Sequence, residues 1–117
     1  MQYVDGFVVA VPAAHKQQYA EMAERAAAVF KEYGATRVVE CWGDDVPPGK
    51  LTDFYGAVKA EPGEVVVFSW IEYPSRAVRD RVQQEAMQDP RLTCMEDGMP
   101  FDGKRMIFGG FVPLLDA

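Results

Sequence analysis

Residues 64–73, EVVVFSWIEY, constrain this chain more than any other ten residues. They are almost wholly β-branched and aromatic, which suits a pleated strand. Apolar side chains occupy both parities, with Val65, Val67 and Ile71 on one and Val66, Phe68 and Trp70 on the other. A strand with one face in water alternates apolar and polar residues, whereas a strand apolar on both faces must be covered twice. Residues 3–11 repeat the problem, with Tyr3, Asp5, Phe7, Val9 and Val11 on one side and Val4, Gly6, Val8 and Ala10 on the other. The fold must build a sheet and find two covers for it.

Helices supply the first cover. Across residues 13–33, Tyr19, Met22, Ala23, Ala26, Val29, Phe30 and Tyr33 recur at the three-and-four spacing of one helix face, and Gly34 is placed for a C-terminal stop with positive φ. A second helix is expected from Ser75, as cap, to Gln88, burying Val78, Val82 and Ala86 and pairing Arg81 with Glu85. Asp89-Pro90 ends it, because a residue before proline avoids the α region. Residues 36–43 read as the second strand and residues 104–112 as the last. Residues 52–58 read as a capped helical turn or an extended hairpin arm. The order is βαββαβ, an α+β sandwich with a four-stranded antiparallel sheet and both helices on one face if the crossovers are right-handed. The other face is left bare, and its simplest cover is a second copy of the same sheet. Periodicity therefore predicts a two-fold homodimer.

Size and charge narrow the function. At 117 residues the chain suits one domain, residues 1–117, and its 49% hydrophobic and 26% charged content is that of a globular protein. No apolar run approaches the ~20 residues of a membrane-spanning helix, so no membrane partner is expected. The first residues lack a basic leader and carry Asp5 in its place, which points to a cytoplasmic protein. Two cysteines, Cys41 and Cys94, are expected as reduced thiols, and with His15 they show no ligand spacing, so no metal site is expected. A net charge of -6 opposes binding to nucleic acid, which takes clustered Lys and Arg.

The motifs each admit two readings. Residues 43–52, GDDVPPGKLT, invite comparison with a phosphate loop. However, five residues rather than four separate Gly43 from Gly49, Pro47 and Pro48 lack N–H donors, and Asp44 and Asp45 would repel phosphate. The segment reads instead as a stiff exit from a strand, with a pocket rim as the alternative. Glu40 and Trp42 share a strand face with Val38, so if that face looks into the space between two stacked sheets they line a cavity there. Glu40 is then either a base of raised pKa or a carboxylate paired with Arg37 or Arg105. His15 opens the first helix as an exposed residue or an acid–base group. Cys41 reads as a small core residue rather than a nucleophile, and Cys94 lies in a loop near Glu96 and Asp97. Lys104 and Arg105 either guard an edge strand or bind the carboxylate or phosphate of a small ligand. Gly109-Gly110 marks a bulge or a close approach at the dimer interface.

Residues 99–116, MPFDGKRMIFGGFVPLLD, resemble the C-terminal block of the DUF1428, or YbaA-like, family of uncharacterised bacterial proteins. ECWGDDVP, EVVVFSWIEYPS and DRVQQEAMQDPR are similar to that family's other blocks, so the resemblance spans nearly the whole chain. It implies a ferredoxin-like protomer that pairs as a dimeric α+β barrel, with no established activity and no cofactor. The expectation is a homodimer that binds a small molecule in a pocket between sheet and helices, with Glu40, Trp42 and Arg105 as ligand-binding candidates. A cofactor-independent enzyme of monooxygenase or isomerase type on the same scaffold is the alternative.

Overall fold

The computed structural model describes residues 2–93 and 99–117. Strand β1 is Tyr3–Pro12, β2 is Arg37–Trp42, β3 is Glu64–Tyr73 and β4 is Ile107–Phe111. Helix α1 is Lys16–Tyr33 and α3 is Arg76–Ala86, with two short helices, α2 (Phe54–Ala57) and α4 (Pro90–Thr93). The sheet order is β2-β3-β1-β4, and every neighbouring pair is antiparallel. This is the ferredoxin-like arrangement expected from the order of elements. The two strands that are apolar on both parities, β1 and β3, take the centre and pair without a break from Tyr3 opposite Tyr73 to Pro12 opposite Glu64.

Both long helices cover one face. Tyr19 and Ala23 of α1 pack on Val9, Val11 and Val67, while Val29, Phe30, Val82 and Ala86 pack on Tyr3, Ile71 and Tyr73. Gly34 ends α1 at φ 137°, a backbone that a side chain rarely tolerates. Ser75 caps α3 by accepting the Val78 N–H at 3.1 Å. Arg81 does not pair with Glu85 as expected; its guanidinium donates to the Tyr33 carbonyl at 3.1 Å. The last carbonyls of a helix lack partners within it, and a cation there is favoured by the helix dipole.

The opposite face is half covered by the chain itself. Residues 44–63 form an arm that turns back under the sheet and seats Val58, with Tyr55 and Ala60, against Ala10, Val66 and Val8. The arm contains the helical turn α2, capped by Asp53, which accepts the Gly56 N–H at 2.6 Å. The Tyr55 hydroxyl donates to the Val46 carbonyl at 2.6 Å, which holds the proline segment against the turn. Cys41 is exposed on this face, not a core residue, because β2 is an edge strand and the arm stops short of it.

The C-terminal strand is shorter than expected. Lys104 and Arg105 lie in a 3-10 turn, Gly103–Arg105, whose first free N–H is taken by the Asp102 side chain at 3.0 Å. They therefore do not guard an edge strand. No bulge interrupts β4, since Gly109 faces Gly6 and Gly110 faces Asp5 in continuous register. Gly110 does mark a close approach, though within the protomer: a Cβ there would run into the Tyr3 ring and hydroxyl and the Arg79 guanidinium. Cys94 lies outside the described residues. No helix among the described residues is long and apolar enough to cross a membrane.

Candidate functional site

The face of β2 that carries Val38, Glu40 and Trp42 looks toward α1, not into a space between stacked sheets. The register decides this: Val38 lies opposite Ile71 and Trp42 opposite Val67, and both partners are in the helix-covered core. Because β2 is at the sheet edge, α1 covers it incompletely and leaves a groove of ≈ 310 Å³. One wall consists of Ala20, Ala23 and Ala27, small residues on the side of α1 that faces β2. The other is Val38, Glu40 and Trp42, with Val67 in the floor.

Polar chemistry in the groove centres on one pair. The Tyr19 hydroxyl donates to Glu40 Oε1 at 2.6 Å, a short, charge-assisted bond. Glu40 therefore finds its partner in a phenol from α1, whereas Arg37 pairs with Glu72 at 3.6 Å and Arg105 with Glu64. Desolvation raises the Glu40 pKa, while the Tyr19 bond and Ser69, its cross-strand neighbour, act in the opposite direction. Burial, then the adjacent carboxylate, pushes the Tyr19 phenol far above its ordinary value, so Tyr19 stays a hydrogen-bond donor. At the mouth, Lys16 Nζ lies 5.3 Å from the centre of the Trp42 ring. The arrangement offers a partly desolvated acceptor, a flat indole and a cation around an apolar trough, which suits a small molecule with an apolar body and a polar edge.

Of the residues expected to bind a ligand, Glu40 and Trp42 line the same groove and Arg105 does not. Arg105 is held by a forked bond to Glu64, with both N···O distances 2.7 Å, and by the Lys59 carbonyl at 2.8 Å. That bond keeps the Glu64 carboxyl below its usual range. Arg105 thus ties the turn before β4 to the end of the arm. His15 precedes α1, is exposed, and places Nδ1 3.0 Å from the Pro100 carbonyl.

Two features were missed in the sequence. Tyr19 is legible as a core position, but its role as partner to Glu40 depends on how α1 crosses β2. The second is a buried cluster around Asp5, which is 2% exposed. Asp5 accepts from Arg79 Nε and Nη2, each at 2.9 Å, and from Gln83 Nε2 at 3.0 Å. The signal was available: an acid on a strand face otherwise made of Tyr3, Phe7, Val9 and Val11 needs a cation above it.

A family model described as a protein of unknown function, DUF1428, matches residues 2–103. The chain is 64% identical over 116 residues to the uncharacterised protein YbaA of Escherichia coli strain K12, covering 99% of each chain. The same identity and coverage hold for YbaA of Shigella flexneri. Among solved structures, a dimeric ferredoxin-like protein from an uncultured marine organism superposes with a TM-score of 0.65 at 11% identity, covering 100% of this chain and 98% of that one. An uncharacterised NIPSNAP domain protein from Burkholderia xenovorans gives 0.62 at 15% identity, covering 95% and 93%. A Nitrosomonas europaea protein provisionally described as an antibiotic biosynthesis monooxygenase gives 0.60 at 11% identity, covering 97% and 90%. At such identities the structural likeness speaks to the fold.

Proposed function

The chain belongs to the DUF1428 family, and for this member we propose a cytoplasmic, small-molecule-binding protein that works as a homodimer of the dimeric α+β barrel type. Residues 1–117 act as one domain, and the ligand occupies the groove between α1 and β2. The observation that carries this reading is the Tyr19–Glu40 bond set into an apolar groove of ≈ 310 Å³. Glu40 accepts the hydroxyl of buried Tyr19, and the partial desolvation of its carboxylate costs stability that a ligand donor can offset. Trp42 gives the ligand a flat surface to stack on. The acidic net charge of -6 favours neither nucleic acid nor anionic membranes as partners. An exposed, unpaired Cys41 thiol suits a reducing compartment.

Pairing is supported by the open, apolar half of the sheet, and a structural neighbour is described as dimeric. Light scattering at micromolar concentration checks it: a monomer overturns the pairing. The groove is checked by thermal-shift screening of a metabolite library. Hits should stabilise the parent protein, fail on Ala20→Trp, which fills the groove from α1, and weaken on Glu40→Gln. Hits indifferent to Ala20→Trp would move the site elsewhere.

A cofactor-independent enzyme on the same scaffold is the second reading, and the raised pKa of Glu40 favours it. A carboxylate in that state beside a bound molecule has the character of a general base. If a hit is recovered chemically unchanged after long incubation and Glu40→Gln affects binding alone, this reading is lost.

A further inference from the structure

The part of the sheet face that the arm leaves open carries Phe68, Trp70, Ile107 and Phe111, and Phe54 at the arm's edge meets Phe68 edge to face. Phe111 is 60% exposed, and Phe54, Phe68 and Ile107 are about half exposed. Together these leave on the order of 400 Å² of apolar surface in water, taking about 200 Å² for a whole aromatic side chain. That is about half of the roughly 800 Å² per partner that a stable interface buries. The missing half lies immediately downstream. Beyond β4 the chain continues as VPLLD, with Val112, Leu114 and Leu115 exposed at 73%, 100% and 83%. These three side chains add about as much apolar area again. Their own protomer covers almost none of it.

Register says where the segment goes. One row runs across the whole sheet from Arg37 through Glu72 and Val4 to Phe111. The apolar tail therefore leaves the β4 edge at the end of the strands where Arg37 stands on the β2 edge. When two sheets stack face to face, a two-fold axis that runs between them along the strands exchanges their edges and preserves their ends. That operation carries the tail of each copy over Arg37 of the other. The Arg37 side chain is 65% exposed and only loosely paired, at 3.6 Å from Glu72. Asp116 follows the two leucines and carries the complementary charge.

We propose that residues 112–116 are an intermolecular strap: Leu114 and Leu115 of one copy pack on the Phe68–Trp70 ladder of a second copy, and Asp116 meets that copy's Arg37. The strap rests on the homodimer reading above and adds the segment that completes the interface. A two-fold axis makes the exchange reciprocal, so each dimer has two straps.

Sedimentation velocity on three proteins tests it: the full chain, a chain ending at Phe111, and the full chain carrying Leu114→Asp with Leu115→Asp. The full chain is expected to be a dimer, and both altered proteins should dissociate at least about a hundredfold more readily, since half of the apolar interface is gone. Far-ultraviolet circular dichroism should be unchanged for both, because the tail packs on nothing in its own protomer. A benzoyl-phenylalanine photoprobe at position 115, in a mixture of isotopically light and heavy copies, should yield light–heavy crosslinks to residues 37–41 and 68–72. A monomeric full chain overturns the homodimer reading and the strap together. A full chain and a truncated chain that dimerise equally well overturn the strap alone, as do crosslinks confined to single copies.

Discussion

Alternate residues of the same strands build two surfaces of opposite character. Toward the helices the sheet presents Asp5 and Glu40 among apolar neighbours, and each is met by a donor from a helix: Arg79 and Gln83 for Asp5, Tyr19 for Glu40. Toward the other side the centre of the sheet presents Val4, Gly6, Val8, Val66, Phe68 and Trp70. The difference follows from how each face is covered. The helices bring side chains at fixed positions, so the acids on that side, buried Asp5 and the more exposed Glu40, each meet a donor. A face closed partly by an arm and partly by association brings fewer such donors, and an unmatched polar group on it would cost about 1–3 kcal/mol. Polar groups on the open side therefore stay at its rim, as with Arg37, Cys41 and Glu72 on β2 and the adjoining end of β3.

The sharpest way to break this contrast is to remove one charge from the helix side. Asp5→Asn should destabilise the protein by about 3 kcal/mol, because Arg79 and Gln83 lose their buried acceptor and Arg79 keeps only the more exposed Asp80 as counter-charge. Guanidinium denaturation measures this, and Asp5→Leu combined with Arg79→Met should recover much of the loss. If the double change is no better than the single one, the cluster does not act as a pair. Gly110→Ala should cost about 2 kcal/mol, because the new methyl displaces Tyr3 and Arg79 from that same cluster. Both readouts belong to the helix side.

On the open side the two halves should respond differently. Val58→Ala, which loosens the arm where it is already packed, should cost about 1.5–2 kcal/mol. Phe111→Ser should leave the stability of the isolated protomer almost unchanged, measured at concentrations low enough to keep it monomeric, because its ring is largely in water. A large loss at Phe111 under those conditions would mean that the protomer covers this half by itself.

Periodicity was enough for the elements, their order along the chain and the helix-covered core, because burial on both sides of β3 and the three-and-four spacing of α1 are written locally. It was not enough for what lies between elements. Glu40 and Trp42 were correctly grouped, since residues two apart on a strand must share a face. The direction of that face was left conditional, because it depends on which strands β2 joins. Arg105 looked like a ligand residue for its charge alone, yet its partner Glu64 is 41 residues away in sequence. The Arg37 or Arg105 partner expected for Glu40 gave way to Tyr19, a residue that looked purely apolar in the helix pattern. Cys41 was misread because a strand residue is buried only if its strand is central or covered.

A small effect of pH is the most specific to the groove. Desolvation raises the Glu40 pKa in the folded protein above that of the unfolded chain. Below the unfolded value the carboxyl is protonated in both states, and its contribution to stability is fully present. As pH rises through the raised folded value, ionisation in the groove takes that contribution away. Glu64 and Asp89 have the opposite sign: arginine partners hold their carboxyls below the ordinary range, so they stabilise the fold above their unfolded values and lose that effect in acid. Comparing the parent with Glu40→Gln at each pH cancels those background terms. The stability of the Gln variant relative to the parent should therefore rise as pH climbs from the ordinary carboxylate value through the raised folded one. The gain should be small, because Glu40 is exposed on its groove side. Parallel stability profiles would mean that the Glu40 carboxylate is no harder to ionise in the groove than in the unfolded chain, leaving the Tyr19 bond as its sole distinction.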